Sequence, residues 1–417
     1  MISLNNMYKF RKSCRLCSGK EFKLILDLGL QPPSNSFLTK VQVKKSERKF
    51  PLRLYLCKKC RHLQLLDVVD KRYLFSNYLY MTSANKPIVD HFQTYANEVY
   101  DKFLDGKKGA RVIEIGSNDG TLLKKFRKYD VDVLGIEPAR NLAKISNRSK
   151  IKTENHFFDY KLAKRLGKRK KADVIIANNV LGHIDNLREF IRGISQLISD
   201  DGVFVFEVPH ALELIKKLEF DTIYHEHLSY FMVLPLERWL NNNNLEIFDI
   251  EKQKVHGGTL RIFVSKKRNY KIKNSVGRIK KQEISFGIDK IGTFNEFSKK
   301  IVELRVSLTK KLNRLSEQNY QIFGYGAPAK GNVLLNYCHI DTNFLDFVTD
   351  TTILKQNKYT PGTHIPIKSP NVLTRKGKNC VGLLLAWNYK DSIVKNERKF
   401  LKRGGKFLVP IPKPVLI

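Results

Sequence analysis

Eight consecutive residues, Tyr224-His225-Glu226-His227-Leu228-Ser229-Tyr230-Phe231, gather two imidazoles, a carboxylate and two phenols. Histidine changes charge near neutral pH and is the natural general base, so this stretch is equipped to move a proton. On a strand or an extended turn His225 points opposite to Glu226 and reads as a residue that holds the loop.

Four cysteines form a second constellation. Cys14-Arg15-Leu16-Cys17 and Cys57-Lys58-Lys59-Cys60 are paired as Cys-x-x-Cys, while Cys338 and Cys380 stand apart. Each pair makes a tight turn whose two thiolates can point at one ion. Four thiolates complete a tetrahedral Zn²⁺ shell and leave no position for water, so a structural zinc is expected. Residues 18 to 56 lie between the pairs, which leaves room for strands. His62 is a spare ligand candidate, expected beside the ion or at the surface.

A third group begins directly after an apolar run: Glu114-Ile115-Gly116-Ser117-Asn118-Asp119-Gly120-Thr121. Glycine at a strand-to-helix turn lets the backbone approach a ligand, and the helix that follows presents its N-terminus. The second glycine of the dinucleotide fingerprint is missing here. Glu137, followed by Pro138, ends the next strand, where a carboxylate can accept two hydrogen bonds from a ribose diol. Glu114, Gly116, Asn118, Asp119, Gly120, Glu137 and Pro138 therefore suit S-adenosylmethionine, which has no pyrophosphate to cradle. The stretch Ala177-Asn178-Asn179-Val180-Leu181-Gly182-His183-Ile184 closes a later strand, and ligands of such folds sit outside the carboxyl ends of parallel strands. Asn178 is expected to touch the cofactor and His183 the substrate.

These groups need a frame. Strand-like runs at 111–115, 133–137, 173–178 and 203–208 alternate with amphipathic stretches, which predicts a parallel sheet covered by helices. Runs at 245–250 and 260–264 flank Gly257-Gly258 and predict an antiparallel edge hairpin. From 272 to 318 the chain is polar and helical in period, with Phe286, Ile291, Phe294, Phe297, Ile301 and Leu304 as its apolar stripe; it reads as a linker. A second alternation follows, with strands at 321–325, 345–349, 381–386 and 406–409. Within it Gly324-Tyr325-Gly326-Ala327-Pro328-Ala329 has the Gly-x-Gly-x-x-Ala form, which read alone suggests a nicotinamide dinucleotide. The expected architecture is α/β. A small zinc-binding domain (1–75) precedes a Rossmann-like class I methyltransferase core (76–270) and a smaller Rossmann-like C-terminal domain (271–417).

Composition narrows the class further. The chain has 417 residues, 42% hydrophobic and 28% charged, as soluble globular proteins do. No run approaches the ~18 apolar residues of a membrane span. Met1 to Lys12 lacks the apolar centre of a signal peptide, so a cytoplasmic protein without a membrane partner is expected. The formal charge of +36 comes from lysines spread along the whole chain, without a basic block or Arg-aromatic interleaving. That pattern suits solvated helix faces, or attraction of a small anionic substrate, better than a nucleic-acid reader.

Taken together, the motifs resemble the sugar C-methyltransferases that act on nucleotide-linked 4-keto-deoxysugars. The match rests on the cysteine pairs, Glu114-x-Gly-x-Asn-Asp-Gly120 and Tyr224-His-Glu-His227. It extends to Gly324-Tyr-Gly326-Ala-Pro-Ala-Lys-Gly-Asn332 and Thr360-Pro-Gly-Thr-His-Ile-Pro-Ile367, so it covers nearly the whole length. The combination is specific to the family and not to one sugar. The resemblance implies methyl transfer to carbon beside the ketone of a nucleotide-diphosphate 4-keto-deoxysugar, at position 3 first and position 5 second. It implies His227 as base, with Glu226 and Tyr224 assisting. It also implies a substrate-facing tyrosine at Tyr78 or Tyr80, and a C-terminal domain that closes over the substrate with Lys330 and His364 as anion contacts. Two rival readings stand beside it: an RNA methyltransferase with a zinc module, and a non-catalytic nucleotide-sugar-binding or scaffold protein. The oligomeric state is left open.

Overall fold

The computed structural model describes residues 7–75, 81–253 and 257–417. A seven-stranded sheet lies at its centre, in the order Leu245–Gln253, Thr259–Lys266, Ile198–Pro209, Ala172–Ile176, Ala110–Ile115, Val131–Ile136, Thr153–Glu154. The last five run parallel, and the hairpin at 245–266 adds two antiparallel strands at one edge, as expected. Strand Ala110–Ile115 is buried along its whole length, the condition of a parallel strand covered on both faces. Helix Lys86–Phe103 covers one face with Ile88, Phe92, Tyr95, Ala96 and Val99, a helical stripe that starts beside a proline in the first turn. Helix Leu187–Leu197 covers the other face with Phe190, Ile191, Ile194 and Leu197; the Asn186 side chain caps it by accepting the Glu189 N–H.

The N-terminal region builds an antiparallel sheet from Phe22–Gln31, Phe50–Cys57 and Leu63–Leu65. Its fourth strand is Ser229–Tyr230, paired with Leu63 and Gln64. The residues just after His227 are thus stitched into the cysteine-bearing region. Nothing in the local period of the sequence announces a strand this short.

The C-terminal sheet runs Ile367–Lys368, Val348–Thr349, Gln321–Tyr325, Cys380–Leu384, Lys406–Val409, Val415–Leu416, parallel except for the last. Two of its edge strands were not expected. Each is two residues long, too short to display alternation.

The stretch read as a linker is more than a spacer. It forms helices Asn274–Phe286 and Ile291–Glu317, and Phe294, Phe297, Ile301, Leu304, Leu308, Leu312 and Leu315 are buried in one core. That core also takes in Leu26 and Leu54 of the N-terminal sheet, Leu212 and Ile215, and Val333 of the C-terminal region. Phe286 and Ile291 stay half-buried, because the first helix ends at Gly287 (φ +82°) and the stripe is interrupted there. From the first of these helices the fully buried Glu283 accepts the N–H groups of Val233 (2.6 Å) and Leu234 (3.0 Å) and Nε2–H of His210 (2.7 Å). It therefore caps helix Val233–Asn241, which directly follows the octapeptide.

Candidate active site

The four cysteines meet as the spacing predicts. Their Sγ atoms all lie within 4.8 Å of one another, with Cys14–Cys60 at 3.6 Å and Cys17–Cys57 at 3.5 Å. Zn–S bonds of ~2.3 Å in a tetrahedron put sulfurs about 3.8 Å apart, so the cluster has the size of a zinc site. Each pair is wound by the same turn: Ser18 N–H reaches the Cys14 carbonyl and Arg61 N–H the Cys57 carbonyl, with Ser18 and Arg61 left-handed. The Gly19 N–H (3.4 Å) and Gln64 Nε2 (3.1 Å) donate to sulfur, which suits thiolates. His62 is neither a ligand nor at the surface. It is buried, its Nε2 lies 3.2 Å from Ser229 Oγ, and burial pushes its pKa down to about 4.

A cavity of about 1560 Å³ opens along the carboxyl ends of the central strands. Glu114, Gly116, Asn118, Glu137, Pro138 and Asn178 line it. The Gly116 backbone is left-handed (φ +71°), and a Cβ there would sit 2.4 Å from Val180 Cγ2, so glycine is required for the turn to close. Both oxygens of Glu137 accept backbone N–H groups, from Asn118 and Ala139, each at 2.8 Å. Each carboxylate oxygen has a further lone pair to offer a diol. Burial, then Asp119 and Glu137, push the Glu114 pKa well up. Glu114 Oε2, Ser117 Oγ and Asn178 Nδ2 are buried without a hydrogen-bond partner among the described residues. The orphaned carboxylate oxygen on this wall suits a donor and the orphaned amide N–H an acceptor, and S-adenosylmethionine carries both an ammonium and a carboxylate group.

Asp119 and Gly120 lie behind this wall. Asp119 accepts from Thr121 Oγ1 (2.5 Å) and from the Ser83 N–H (3.0 Å), while Gly120 (φ +77°) packs against Ser146 where a Cβ would not fit. At the wall's far end Glu207 binds His91 Nε2 and Arg261 Nε, each at 2.9 Å, and its N–H donates to Asn178 Oδ1 at 3.1 Å.

The octapeptide enters the same cavity as a turn. The His227 N–H reaches the Tyr224 carbonyl at 2.8 Å, and this closure brings the Tyr224 and His227 rings to 3.9 Å between centroids. The His183 ring lies 5.0 Å from that of His227 and stacks on Phe75 at 5.3 Å. Burial, then His227, hold the His183 pKa well below the usual range. His227 Nδ1 lies 2.8 Å from the Thr222 carbonyl. Glu226, buried at the tip of the turn, accepts from Asn35 Nδ2 at 2.7 Å. His225 turns to the N-terminal sheet, its Nε2 3.3 Å from the Phe50 carbonyl, and burial pushes its pKa down to about 4. Tyr78 and Tyr80 lie outside the described residues.

From the C-terminal region Lys330 lines the cavity, with its Nζ 4.3 Å from the centre of the Trp387 ring. Trp387 Nε1 donates to the buried Asp221 at 2.7 Å. His364 is not among the lining residues; its Nε2 lies 3.1 Å from Glu47. Sequence reasoning missed Asn35, Thr222, Asp221, Glu207 and Trp387. Of these only Asn35 had a local signal, the turn-forming run Pro32-Pro33-Ser34-Asn35. No helix among the described residues is long and apolar enough to cross a membrane.

Known proteins match this chain region by region. Three family models match: "Putative zinc binding domain" over residues 14–75, "Methyltransferase domain" over 89–250 and "C-methyltransferase C-terminal domain" over 254–412. C-methyltransferase NovU of Streptomyces niveus is 32% identical over 406 residues, 97% of this chain and 96% of its own. Ubiquinone biosynthesis O-methyltransferase of Rhodopseudomonas palustris BisA53 is 28% identical over 109 residues, 25% of this chain and 42% of its own. Among solved structures, magnesium protoporphyrin IX methyltransferase (ChlM) of Synechocystis PCC 6803 with bound SAH is 13% identical. That pair covers 43% of this chain and 83% of the other, with a TM-score of 0.34. The chain belongs to the C-methyltransferase family: it is an S-adenosylmethionine-dependent methyltransferase with a class I α/β core and an N-terminal zinc-binding domain.

Proposed function

We propose that this enzyme methylates the carbon beside the ketone, at position 3, of a nucleotide-diphosphate 4-keto-deoxysugar, with His227 as the base. The observation that carries the reading is the His227–Thr222 contact inside the cavity that also holds the cofactor wall. A carbonyl only accepts, so Nδ1 bears the proton of the neutral ring and Nε2 bears the basic lone pair. Carbon next to a ketone is acidic because its anion delocalises onto oxygen. His227 Nε2 takes that proton, the C–H electron pair becomes the enolate double bond, and the carbonyl oxygen takes the charge. When bound, S-adenosylmethionine supplies an electrophilic methyl group on a positively charged sulfur. Tyr224 orients the His227 ring, Glu226 offsets the charge of the imidazolium, and His183, held neutral, contacts the sugar. Tyr78 is assigned to the substrate side on the family resemblance.

Cavity size supports two ligands rather than one. A single small-molecule pocket spans roughly 300–1,000 Å³, and about 1560 Å³ leaves room for cofactor and nucleotide-sugar together. On this reading Glu114, Gly116, Asn118, Glu137, Pro138 and Asn178 hold the cofactor, with Asp119 and Gly120 supporting the turn. Residues 1–75, 76–270 and 271–417 act as three working units, and the last closes over the substrate through Lys330. Four thiols committed to a metal fit a reducing compartment, the cytoplasm. A screen of thymidine-, guanosine- and cytidine-diphosphate 4-keto-deoxysugars, read by mass, tests the proposal. A gain of one methyl on at least one of them is expected, whereas methylation of none, with cofactor bound, overturns the substrate class.

A further inference from the structure

One corner of the cavity holds charges that the chain leaves unpaired. Lys330, in helix Ala329–Tyr337, lines the cavity, with its Nζ 4.3 Å from the centre of the Trp387 ring. Trp387 Nε1 donates to Asp221 Oδ2 at 2.7 Å, and Asp221 is fully buried. One indole thus touches both the ammonium and a carboxylate. Glu219, only 4% exposed, lines the same cavity. Its carboxylate packs on Gly257, where a Cβ would sit 2.5 Å from Oε1. Among the described residues Glu219 Oε1 and Asp221 Oδ1 have no hydrogen-bond partner, and the Lys330 ammonium makes no hydrogen bond or ion pair. The three groups still act on one another: burial lowers the Lys330 pKa, while Asp221 and then Glu219 raise it.

We propose that Lys330 and Glu219 form a subsite for a hydroxyl group of the substrate's sugar. The proposal rests on reading the substrate as a nucleotide-linked sugar. A hydroxyl donates and accepts at once. It can give its proton to the free carboxylate oxygen of Glu219 while its own oxygen accepts from the Lys330 ammonium. Buried charges left without such partners are costly, and no ion pair joins these two directly. A diphosphate suits the corner less, because the carboxylates beside Lys330 would repel it. Position favours the sugar over the nucleoside. Asp221 is followed directly by Thr222, whose carbonyl lies 2.8 Å from His227 Nδ1, so the subsite adjoins the loop that holds the proposed base. The C-terminal region would then read the sugar itself, through Lys330.

Calorimetry on the full-length zinc-loaded protein at pH 8 tests this. The probes are thymidine, guanosine and cytidine diphosphates and the glucose conjugate of each, compared for the nucleotide whose conjugate wild type binds most tightly. Hydrogen bonds to charged groups are worth about ten- to a hundredfold in affinity. Lys330→Met is therefore expected to weaken the conjugate by about tenfold or more, with the bare diphosphate within twofold of wild type. Lys330→Gln, which keeps an uncharged donor, should lose less. If Lys330→Met does not fold, Glu219→Met decides: it too should weaken the conjugate and leave the bare diphosphate unchanged. An equal loss for both probes in Lys330→Met overturns the subsite. So does tighter binding of the bare diphosphate by Glu219→Met, the sign of a relieved repulsion, or an unmoved conjugate affinity in whichever variant folds. Failure of the substrate reading looks different: wild type then binds none of the conjugates, and the subsite falls with it.

Discussion

His227 is bound to Thr222 through one of its two ring nitrogens: Nδ1 lies 2.8 Å from the Thr222 main-chain oxygen. Thr222 is fixed by its own N–H (3.1 Å) and Oγ1 (2.8 Å), both donated to the Glu219 carbonyl. Asp221, one residue earlier, accepts from Trp387 of the C-terminal region at 2.7 Å. The tautomer of His227, the base we propose, is therefore set by a short loop that the C-terminal region also holds. A base with a defined tautomer and orientation is worth typically 10²–10⁴ in rate.

Replacing His227 by Asn removes the lone pair while keeping a polar side chain. We expect methyl transfer to fall at least about a hundredfold, with S-adenosylmethionine affinity within threefold of wild type, because the wall at Glu114 and Glu137 is untouched. Mass spectrometry of the product and calorimetry with the cofactor measure the two quantities. Activity close to wild type would move the base elsewhere, and His183, whose ring lies 5.0 Å from His227, is the next candidate.

Glu219 gives the fold a pH dependence with a defined sign. Burial, then Asp221, push its pKa up to about 7 from an ordinary 4.5. The native state thus binds this proton more tightly than the unfolded chain. The stabilisation is fully present below about pH 4.5 and is lost as pH rises through about 7, a change of about 3 kcal/mol. Glu219→Gln should therefore be more stable than wild type at pH 8 by up to about that amount, with the gain vanishing near pH 4.5. Urea unfolding at the two pH values measures it. An equal gain at both, or none at pH 8, would contradict this account of Glu219.

Glu283 tests whether the helix at 274–286 is structural to the site. Glu283→Ala would leave His210 and the N–H groups of Val233 and Leu234 buried without their acceptor. A cost of about 3–5 kcal/mol is expected. Glu283→Gln, which keeps a carbonyl acceptor, should cost less. Denaturant midpoints decide it: a loss below about 1 kcal/mol for the Ala variant would return the helix to a spacer.

Much of the molecule was readable along the chain, and the boundary is physical. Cys14, Cys17, Cys57 and Cys60 announce their meeting because Cys-x-x-Cys fixes a turn locally. Glu114 and Glu137 announce theirs because parallel strands place successive carboxyl ends side by side. The octapeptide displays its chemistry through residue types, and its backbone closes into a turn. Tyr224 and His227 therefore share a side, while Glu226 and His225 reach out to Asn35 and Phe50. Those partners lie far away in sequence and belong to another sheet, so no local period encodes them. Ser229–Tyr230 makes the same point: two residues cannot show alternation, and their pairing with Leu63 and Gln64 exists only once the domains pack.

The central claim is that His227 makes an enolate beside a ketone, and isotope exchange tests it most directly. The enzyme is incubated in D₂O with a thymidine-diphosphate 4-keto-6-deoxysugar, and deuterium is located by mass spectrometry and NMR. The account predicts deuterium at the carbon next to the ketone, entering faster than in the absence of enzyme and at background rate with His227→Asn. Methyl transfer that proceeds normally without exchange above background, or exchange undiminished in His227→Asn, would contradict it.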